Sequence, residues 1–271
     1  MRSSDDQDSQ TPLTFESLAA AVGRAGIRGI EFHPEIGSTN DRALQLAADP
    51  SISTPFLVVA DRQSAGRGRG TNAWWSASGA LTFSVIVAPT RHCSASPLPS
   101  QLSLAAGLAV CDVLQKKAPH HDVHVKWPND VYLSGRKTCG ILVEVPFTAP
   151  NRAVIGVGVN VNNRFEGAPP ELRQTAVSLA EATGQIFDRA TLLEEILASI
   201  LREVESVAAD ASDLRERWAA SCYLTGRLVH LETPAGRTVG LCLGIDSDGA
   251  LLLQNERGPS RHTSGVIRGI E

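Results

Sequence analysis

A polar turn that interrupts an apolar strand constrains the fold of this chain most. The segment is Lys126-Trp127-Pro128-Asn129-Asp130, and its first two residues are the end of the predicted strand 123–127. Proline has no N–H for a sheet hydrogen bond, so the strand must end there. Asn and Asp side chains bind nearby backbone and favour a turn. A purely structural turn needs neither the lysine nor the tryptophan, so this one is a candidate for function.

Short apolar strands alternate with helical segments over much of the chain, which predicts an α+β or α/β domain of catalytic size. The predicted strands are residues 56–60, 81–87, 123–127, 140–145 and 153–161. The predicted helices are residues 14–24, 41–48, 102–117 and, as one long region, 192–218.

The pattern changes after Thr225. Short apolar runs are then divided by Pro234-Ala235-Gly236 and by Asp246-Ser247-Asp248-Gly249. Tight turns about every ten residues are typical of a small β-barrel. We therefore predict a disordered tail and short helix over residues 1–30, a catalytic domain over 31–225 and a β-barrel over 226–271.

Composition excludes some functions and indicates a compartment. The net charge is −4, which gives no general attraction to nucleic acid or anionic membranes. No apolar run approaches the roughly 20 residues of a membrane span, and the first ten residues do not resemble a secretory signal. Sparse, scattered cysteines predict reduced thiols in the cytoplasm rather than a disulfide framework or zinc site. They are Cys93, Cys111, Cys139, Cys222 and Cys242.

Residues 65–72 alternate glycine with arginine, and the loop contains Arg67 and Arg69. Glycine lets the backbone approach a ligand, and an arginine fork can hold a carboxylate or phosphate. The spacing matches neither a Walker loop nor a dinucleotide-binding turn. A solvated loop, or one that touches RNA, is the alternative interpretation of this segment taken alone.

Three further features leave alternatives open. Trp74-Trp75 could stack on a flat ligand ring or fasten the loop to the core. Lys137, at the mouth of an apolar strand, is either a rim residue or an anion ligand. The glycines of segment 156–162 mark a close approach of backbone or ligand, and Asn160 could donate hydrogen bonds there.

In order, these segments resemble the biotin protein ligases, that is the biotin–[acetyl-CoA-carboxylase] ligases, over nearly the whole chain. The matching pieces are Gly37-Ser38-Thr39-Asn40, Gln63 with Gly66-Arg67-Gly68-Arg69-Gly70, Lys126-Trp127-Pro128-Asn129-Asp130, Lys137 with Gly140-Ile141-Leu142-Val143-Glu144, and Gly156-Val157-Gly158-Val159-Asn160. The resemblance implies a class II aminoacyl-tRNA synthetase-like catalytic domain, with a mixed sheet flanked by helices. It also implies a small C-terminal Src-homology-3-like β-barrel.

The resemblance further implies a two-step reaction with biotin and Mg²⁺-ATP. Biotin is first converted to biotinyl-5′-adenylate, and its acyl group then passes to one lysine of a biotin carboxyl carrier domain. Lys137, Arg67 and Arg69 would be catalytic. Biotin would contact Ser38, Thr39, Asn40, Gln63, Gly66, Arg67, Gly68, Arg69 and Lys137. ATP and the adenylate would contact Arg69, Trp74, Lys126, Asn129 and Asn160.

The chain departs from the family pattern in places. Many members have Asp where Gly37 stands, and many bacterial ones continue the loop with Gly-Arg where this chain has Thr71-Asn72. The roughly 35 residues ahead of Ile36 are too few for a helix-turn-helix domain. We therefore expect a monofunctional ligase rather than a DNA-binding repressor. The sequence assigns no metal ligands, and a homodimer through an exposed sheet edge stays open.

Two other functions compete with this interpretation. A lipoate ligase or octanoyltransferase shares the fold class, but its fatty substrate needs no polar groups deep in the pocket. Cys139 could suggest a thioester-forming transferase, although it enters an apolar run typical of core. An RNA-binding module would show a basic surface and aromatic residues spread over a sheet. The acidic charge and aromatic content of 5% disfavour it.

Overall fold

The computed structural model describes residues 13–89, 99–209 and 213–271. These residues form seven helices and twelve strands in two sheets. The helices are α1 (Phe15–Arg24), α2 (Thr39–Ala47), α3 (Pro99–Lys117), α4 (Pro170–Thr175), α5 (Leu179–Thr183), α6 (Arg189–Ala209) and α7 (Leu214–Ser221). The strands are β1 (Gly29–Ile36), β2 (Phe56–Gln63), β3 (Leu81–Val87), β4 (Val123–Lys126), β5 (Asp130–Leu133), β6 (Arg136–Glu144), β7 (Ala153–Val159), β8 (Leu228–Thr233), β9 (Gly236–Ile245), β10 (Leu251–Asn255), β11 (Gly258–His262) and β12 (Val266–Ile270).

The first sheet has seven strands in the order β1-β2-β3-β7-β6-β5-β4. Only β1 and β2 pair in parallel, and the other neighbours are antiparallel. Every residue of β3 is buried, so helices or loops cover both faces of the sheet centre. Val58 and Ile86 pack under Ala43 and Ala47 of α2, whereas Phe83 joins the main core that contains α3 and α6. The predicted mixed sheet flanked by helices is confirmed.

The first two predicted helices are confirmed, with one shift that matters for the site. Thr14 caps α1 through its side chain. The second helix, predicted from residue 41, begins at Thr39 because Ser38 caps it, with Ser38 Oγ 3.4 Å from the N–H of Asp41. Thr39 and Asn40 therefore lie in the first helical turn, where both are buried.

Several elements differ from the sequence prediction. The long helical region 192–218 is divided into α6 and α7, and residues 210–212 lie outside the described residues. Two helices, α4 and α5, and three strands, β1, β5 and β11, were not predicted from the sequence. The predicted tail 1–10 lies outside the described residues, and so does Cys93; the four described cysteines are free thiols.

The second sheet is antiparallel, in the order β11-β10-β9-β8-β12. Its inward residues form a small apolar core: Val229, Leu231, Cys242, Ile245, Leu251 and Leu253. The predicted C-terminal β domain is thus confirmed, while its boundary near Thr225 stays a prediction. Within the described residues, no helix is both long and apolar enough to cross a membrane.

The turn between β9 and β10 joins the second sheet to α3 and to the turn after β4. Trp127, at the polar turn after β4, donates its indole N–H to the Gly249 carbonyl at 3.0 Å. At the start of α3, Ser100 Oγ donates to the Asp248 carbonyl at 3.0 Å, and Gln101 donates to the Ser247 carbonyl at 3.1 Å. These three bonds fix the C-terminal sheet beside the strand that carries Lys126.

Gly249→Ala is expected to destabilise the fold by about 1–3 kcal/mol. Gly249 has φ +87°, and a Cβ there would lie 2.6 Å from Leu104 Cδ1, in a side chain that is 1% exposed. Urea unfolding measures the loss. Gly258→Ala is the control, because Gly258 has φ +107° with no heavy atom within 4 Å of an added Cβ. Equal losses in the two variants would contradict the packing argument.

Candidate active site

A cleft of about 1010 Å³ lies on the α2 face of the first sheet and extends to β8 and β12 of the second. It gathers eleven of the thirteen predicted site residues from three distant parts of the chain, 38–40, 63–74 and 126–137. They are Ser38, Thr39, Asn40, Gln63, Arg67, Gly68, Arg69, Trp74, Lys126, Asn129 and Lys137. Gly66 and Asn160 are not among the described residues that line the cleft.

Glycines form the floor of the cleft. Gly156 pairs with Ser84 of β3, and Gly158 pairs with Gly140 of β6. A Cβ on Gly156 would overlap the Asn40 amide, and one on Gly158 would overlap the Trp74 indole. These two neighbours therefore rest directly on the sheet. The two glycines beneath them are two residues apart along β7, a separation of about 7 Å.

Gly156→Ala is expected to raise the KM of the substrate bound beside Asn40 by about tenfold or more, because the new methyl group must displace the Asn40 amide. Initial rates over a range of concentrations of that substrate measure this change. Gly167→Ala is the control, since no heavy atom lies within 4 Å of an added Cβ. An unchanged KM for Gly156→Ala would remove Asn40 from the binding surface.

A buried network of polar side chains occupies the α2 end of the cleft. Gln63 Oε1 accepts the Thr39 N–H at 2.7 Å and the Thr39 hydroxyl at 3.1 Å. Ser84 Oγ lies 2.8 Å from both Thr39 Oγ1 and Asn40 Oδ1. Ser84 has one hydroxyl proton for these two contacts, so an acceptor in the network has capacity for a ligand N–H. Such a fixed set of donors and acceptors suits a compact polar ring.

Two lysines lie at the other end of the cleft. Lys137 Nζ forms an ion pair with Asp130 Oδ1 at 2.6 Å, although the two groups are not oriented for a hydrogen bond. Lys126 Nζ donates to Tyr132 Oη at 2.8 Å. Burial lowers the pKa of Lys126, while the Asp130 carboxylate acts in the opposite direction. Asp130, predicted in the turn, instead opens β5 by pairing with Lys126 of β4.

The glycine-arginine loop connects the two parts of the chain through Arg69. Arg69 Nη1 donates to the Gly265 carbonyl at 3.0 Å, and its guanidinium carbon lies 5.9 Å from the centre of the Trp127 ring. Burial lowers the pKa of Arg69. Arg69 therefore crosses the cleft to the residue just before β12, where closure of the loop would cover a ligand.

The two adjacent tryptophans have different environments. Trp74 lies over Gly158, and an added Cβ on Gly140 would be 3.3 Å from both Trp74 Cζ3 and Lys137 Cε. Its indole N–H is buried without an acceptor among the described residues, which leaves a donor for a ligand. Trp75 stacks on Phe165 at 5.6 Å between ring centres, so it fastens the loop to the core.

Three other predicted residues bind backbone or neighbouring side chains. Asn129 donates to the Ile141 carbonyl at 2.6 Å, which ties the polar turn to β6 at the cleft wall. The Asn160 side chain accepts from Asn163 at 3.1 Å and is buried outside the cleft, so this location does not support the predicted contact with ATP. Gly66 packs beneath Trp74, where a Cβ would be 2.6 Å from the Trp74 carbonyl.

Several residues that shape the site were not predicted from the sequence. Tyr132 lines the cleft and holds Lys126, and its position on a four-residue strand gave no signal. Ser84 was assigned only to a strand. Glu144 accepts hydrogen bonds from both Asn40 and Arg67. A carboxylate directly after the apolar run 141–143 is a sequence signal that could have indicated such a role. The turn before β12 contributes Ser264 and Gly265 through long-range folding alone.

Comparison with known proteins shows which family has this architecture. Residues 33–161 match the model of the biotin/lipoate A/B protein ligase family. The chain is 34% identical to the bifunctional ligase/repressor BirA of Bacillus spizizenii, over 86% of this chain and 71% of that protein. It is 34% identical to the biotin–[acetyl-CoA-carboxylase] ligase of Mycobacterium tuberculosis, over 89% and 90% respectively.

A solved structure shows the same fold. The biotin protein ligase of Aquifex aeolicus, in complex with biotin and ATP, superposes with a TM-score of 0.75 at 28% identity, covering 90% of this chain and 99% of that one. The fold and cleft thus define an ATP-dependent ligase of the biotin/lipoate class. Within that class, the chain belongs to the biotin protein ligase family.

Proposed function

We propose that the cleft joins biotin to ATP and then transfers the biotinyl group to a carrier-domain lysine. In the first step a biotin carboxylate oxygen attacks the α-phosphorus of ATP, and the bond to pyrophosphate breaks. In the second, a deprotonated lysine amine attacks the acyl carbon of biotinyl-5′-adenylate. The C–O bond to AMP then breaks, giving an amide.

The observation that carries this proposal is the arrangement of the two ends of the cleft. The polar network around Asn40 rests on Gly156, and the Trp74–Lys137 pair rests on Gly158 and Gly140. The separation of about 7 Å along β7 suits a molecule with a polar ring at one end and a carboxylate at the other. The ureido ring would bind Ser38, Thr39, Asn40 and Gln63, and the carboxylate would reach Lys137.

The reacting groups are both anionic, so cations must lie between them. Lys137 has three N–H donors, and Asp130 takes up only one side of its ammonium group. Lys126 and Arg69 supply further positive charge, while Trp74 covers the adenylate and Asn129 shapes the wall. Exclusion of water by the loop would protect the acyl-adenylate from hydrolysis.

Mg²⁺ enters this proposal as part of the Mg²⁺-ATP substrate. Among the described residues, no cluster of three or more His, Cys, Asp or Glu side chains could hold a metal ion. Mg²⁺ commonly binds through substrate phosphates, waters and one or two carboxylates, so such a cluster is not required. Asp130, which lines the cleft beside both lysines, could contribute one oxygen.

The acceptor, the cellular location and the oligomeric state are also part of the proposal. The acceptor is a lysine of a biotin carboxyl carrier domain, in line with relatives named as ligases of acetyl-CoA carboxylase. The scattered cysteines favour the cytoplasm. If the chain forms a homodimer, β1 is an edge strand of the first sheet that could pair with a second copy.

A lipoate ligase or octanoyltransferase is the alternative that the family description leaves in place. Two observations favour biotin. The α2 end of the cleft is lined by a hydrogen-bonded polar network, which a fatty chain cannot use. Cys139 is fully buried, and burial raises the pKa of its thiol, so it is a poor nucleophile for a thioester intermediate.

The test is exchange of labelled pyrophosphate into ATP, with biotin, octanoate and lipoate in parallel. Exchange that depends on biotin alone is the expected result. Exchange with only the fatty acids would make the protein a lipoate-type ligase and would overturn the assignment of the ring-binding residues. Absence of exchange with all three would overturn the adenylation step.

A further inference from the structure

One carboxylate holds together two parts of the binding surface that are far apart in sequence. Glu144 Oε2 accepts the Asn40 amide at 2.6 Å and Arg67 Nη2 at 2.6 Å, and Glu144 Oε1 accepts Arg67 Nη1 at 3.1 Å. The pair with Arg67 is bidentate, the strongest geometry for such a contact. Glu144 thus connects α2, the end of β6 and the base of the glycine-arginine loop.

The charges around Arg67 do not favour an incoming anion. Glu144 occupies the fork, and Asp41 Oδ1 lies 2.8 Å from Arg67 Nε, although without a hydrogen-bonding angle. One guanidinium (+1) with two carboxylates (−2) gives a formal charge of −1. These contacts, led by the hydrogen bonds to Glu144, raise the pKa of Arg67. A biotin carboxylate would meet net repulsion here, whereas Arg69 pairs with no carboxylate among the described residues.

Glu144 is also not among the described residues that line the cleft, although Asn40 and Arg67 are. It can therefore act on the substrate only through these two neighbours. The hydrogen bond from Asn40 Nδ2 to Glu144 orients the amide so that Asn40 Oδ1 faces Ser84. This orientation sets the pattern of acceptors at the α2 end of the cleft, where the ureido ring would bind. Arg67, which is bonded to Glu144, lies two residues before Arg69, so this contact fixes the start of the segment that carries Arg69 across the cleft.

We propose that Glu144 is a positioning residue, which orients Asn40 for biotin and anchors the loop through Arg67, and that Arg67 is an anchor rather than an anion contact. The assignment of the ligand rests on the proposed function. The anchoring itself does not, because it concerns the loop in the free protein.

Glu144→Gln tests the proposal. Glutamine has the same shape but replaces one acceptor oxygen with an NH₂ group, so in either orientation at least one of the three donors loses its acceptor. In the ligand-free protein, amide hydrogen exchange of segment 66–74 should become about tenfold faster. In pyrophosphate exchange, the biotin KM should rise about tenfold, with the ATP KM changed less than about twofold.

Glu203→Gln is the matched control. Glu203 forms a bidentate pair with Arg217 at 2.7 and 2.8 Å between α6 and α7, outside the cleft. This variant should change neither loop exchange nor the biotin KM, even if its melting temperature falls. Unchanged exchange of segment 66–74 in Glu144→Gln would overturn the anchoring. If wild type failed to use biotin, the proposed function would fail, but the loop measurement would still decide the anchoring.

Arg67→Gln and the double variant Glu144→Gln/Arg67→Gln separate the two roles of Arg67. If Arg67 acts only through Glu144, the biotin KM of the double variant should exceed that of the more affected single variant by no more than about twofold. If Arg67 instead contacts the biotin carboxylate directly, the increases in biotin KM of the two single variants should multiply in the double variant. This outcome would overturn the assignment of Arg67 as an anchor.

Discussion

Replacing Lys137 with alanine is expected to slow biotin adenylation by about 100- to 1,000-fold. The ammonium group lies beside Trp74 and Gly140 on the floor of the cleft. In the proposed reaction, the two anionic reactants meet there. Its loss removes the positive charge between them and leaves Asp130 without its ion-pair partner at 2.6 Å. The variant should fold normally, because Lys137 is a half-buried residue at a strand end.

Single-turnover formation of biotinyl-adenylate measures this effect, with circular dichroism as the check on folding. Lys117→Ala is the control, because Lys117 forms a comparable ion pair with Glu195 at 2.7 Å and neither residue lines the cleft. It should retain wild-type rates. A rate for Lys137→Ala within about threefold of wild type would remove Lys137 from the chemistry.

Arg69→Ala is expected to release biotinyl-adenylate about 100-fold faster than wild type while still forming it. Arg69 holds the loop across the cleft through the Gly265 carbonyl and the Trp127 ring. Without these contacts the loop opens more readily, so the reactive acyl-adenylate escapes. Free adenylate acylates accessible amines, and unspecific lysine labelling should therefore increase.

Release can be followed by adding wild-type protein as a trap for the labelled adenylate. Arg136→Ala is a suitable control, because Arg136 also donates to a backbone carbonyl, that of Ala176 at 3.4 Å, but does not line the cleft. It should retain the adenylate as wild type does. Tight retention by Arg69→Ala would contradict the conclusion that this residue holds the loop closed.

The sequence predicts those parts of the fold that depend on local pattern. A continuous apolar run predicts β2, and apolar alternation predicts β3. Apolar spacing predicts α1, and the same spacing with capping residues predicts α2. By contrast, β11 reads Gly-Pro-Ser-Arg-His and has no apolar alternation, so pairing with β10 alone makes it a strand. The short β5 is similar, because hydrogen bonds to β4 and β6 form it from a segment that by itself favours a turn.

The candidate site shows the same division. Motifs with unusual residue types, such as the Gly-Arg loop and the Lys-Trp-Pro turn, predicted most of the side chains that meet in the cleft. The partners that hold them could not be read in this way. Glu144 meets Arg67 across 77 positions, and Gly265 meets Arg69 across 196. Glu144 ends the matching segment 140–144, but nothing in that segment indicates a pairing with Arg67, and Gly265 belongs to no motif. Asn160 belongs to a motif, yet its side chain is buried and is not among the described residues that line the cleft.

Mass spectrometry of a purified biotin carboxyl carrier domain, incubated with this protein, biotin and Mg²⁺-ATP, tests the central claim most directly. The account predicts a mass gain of one biotinyl group on a single lysine, with one AMP released for each group transferred. A carrier domain that stays unmodified with biotin, or that is modified only when octanoate or lipoate replaces it, would contradict the account.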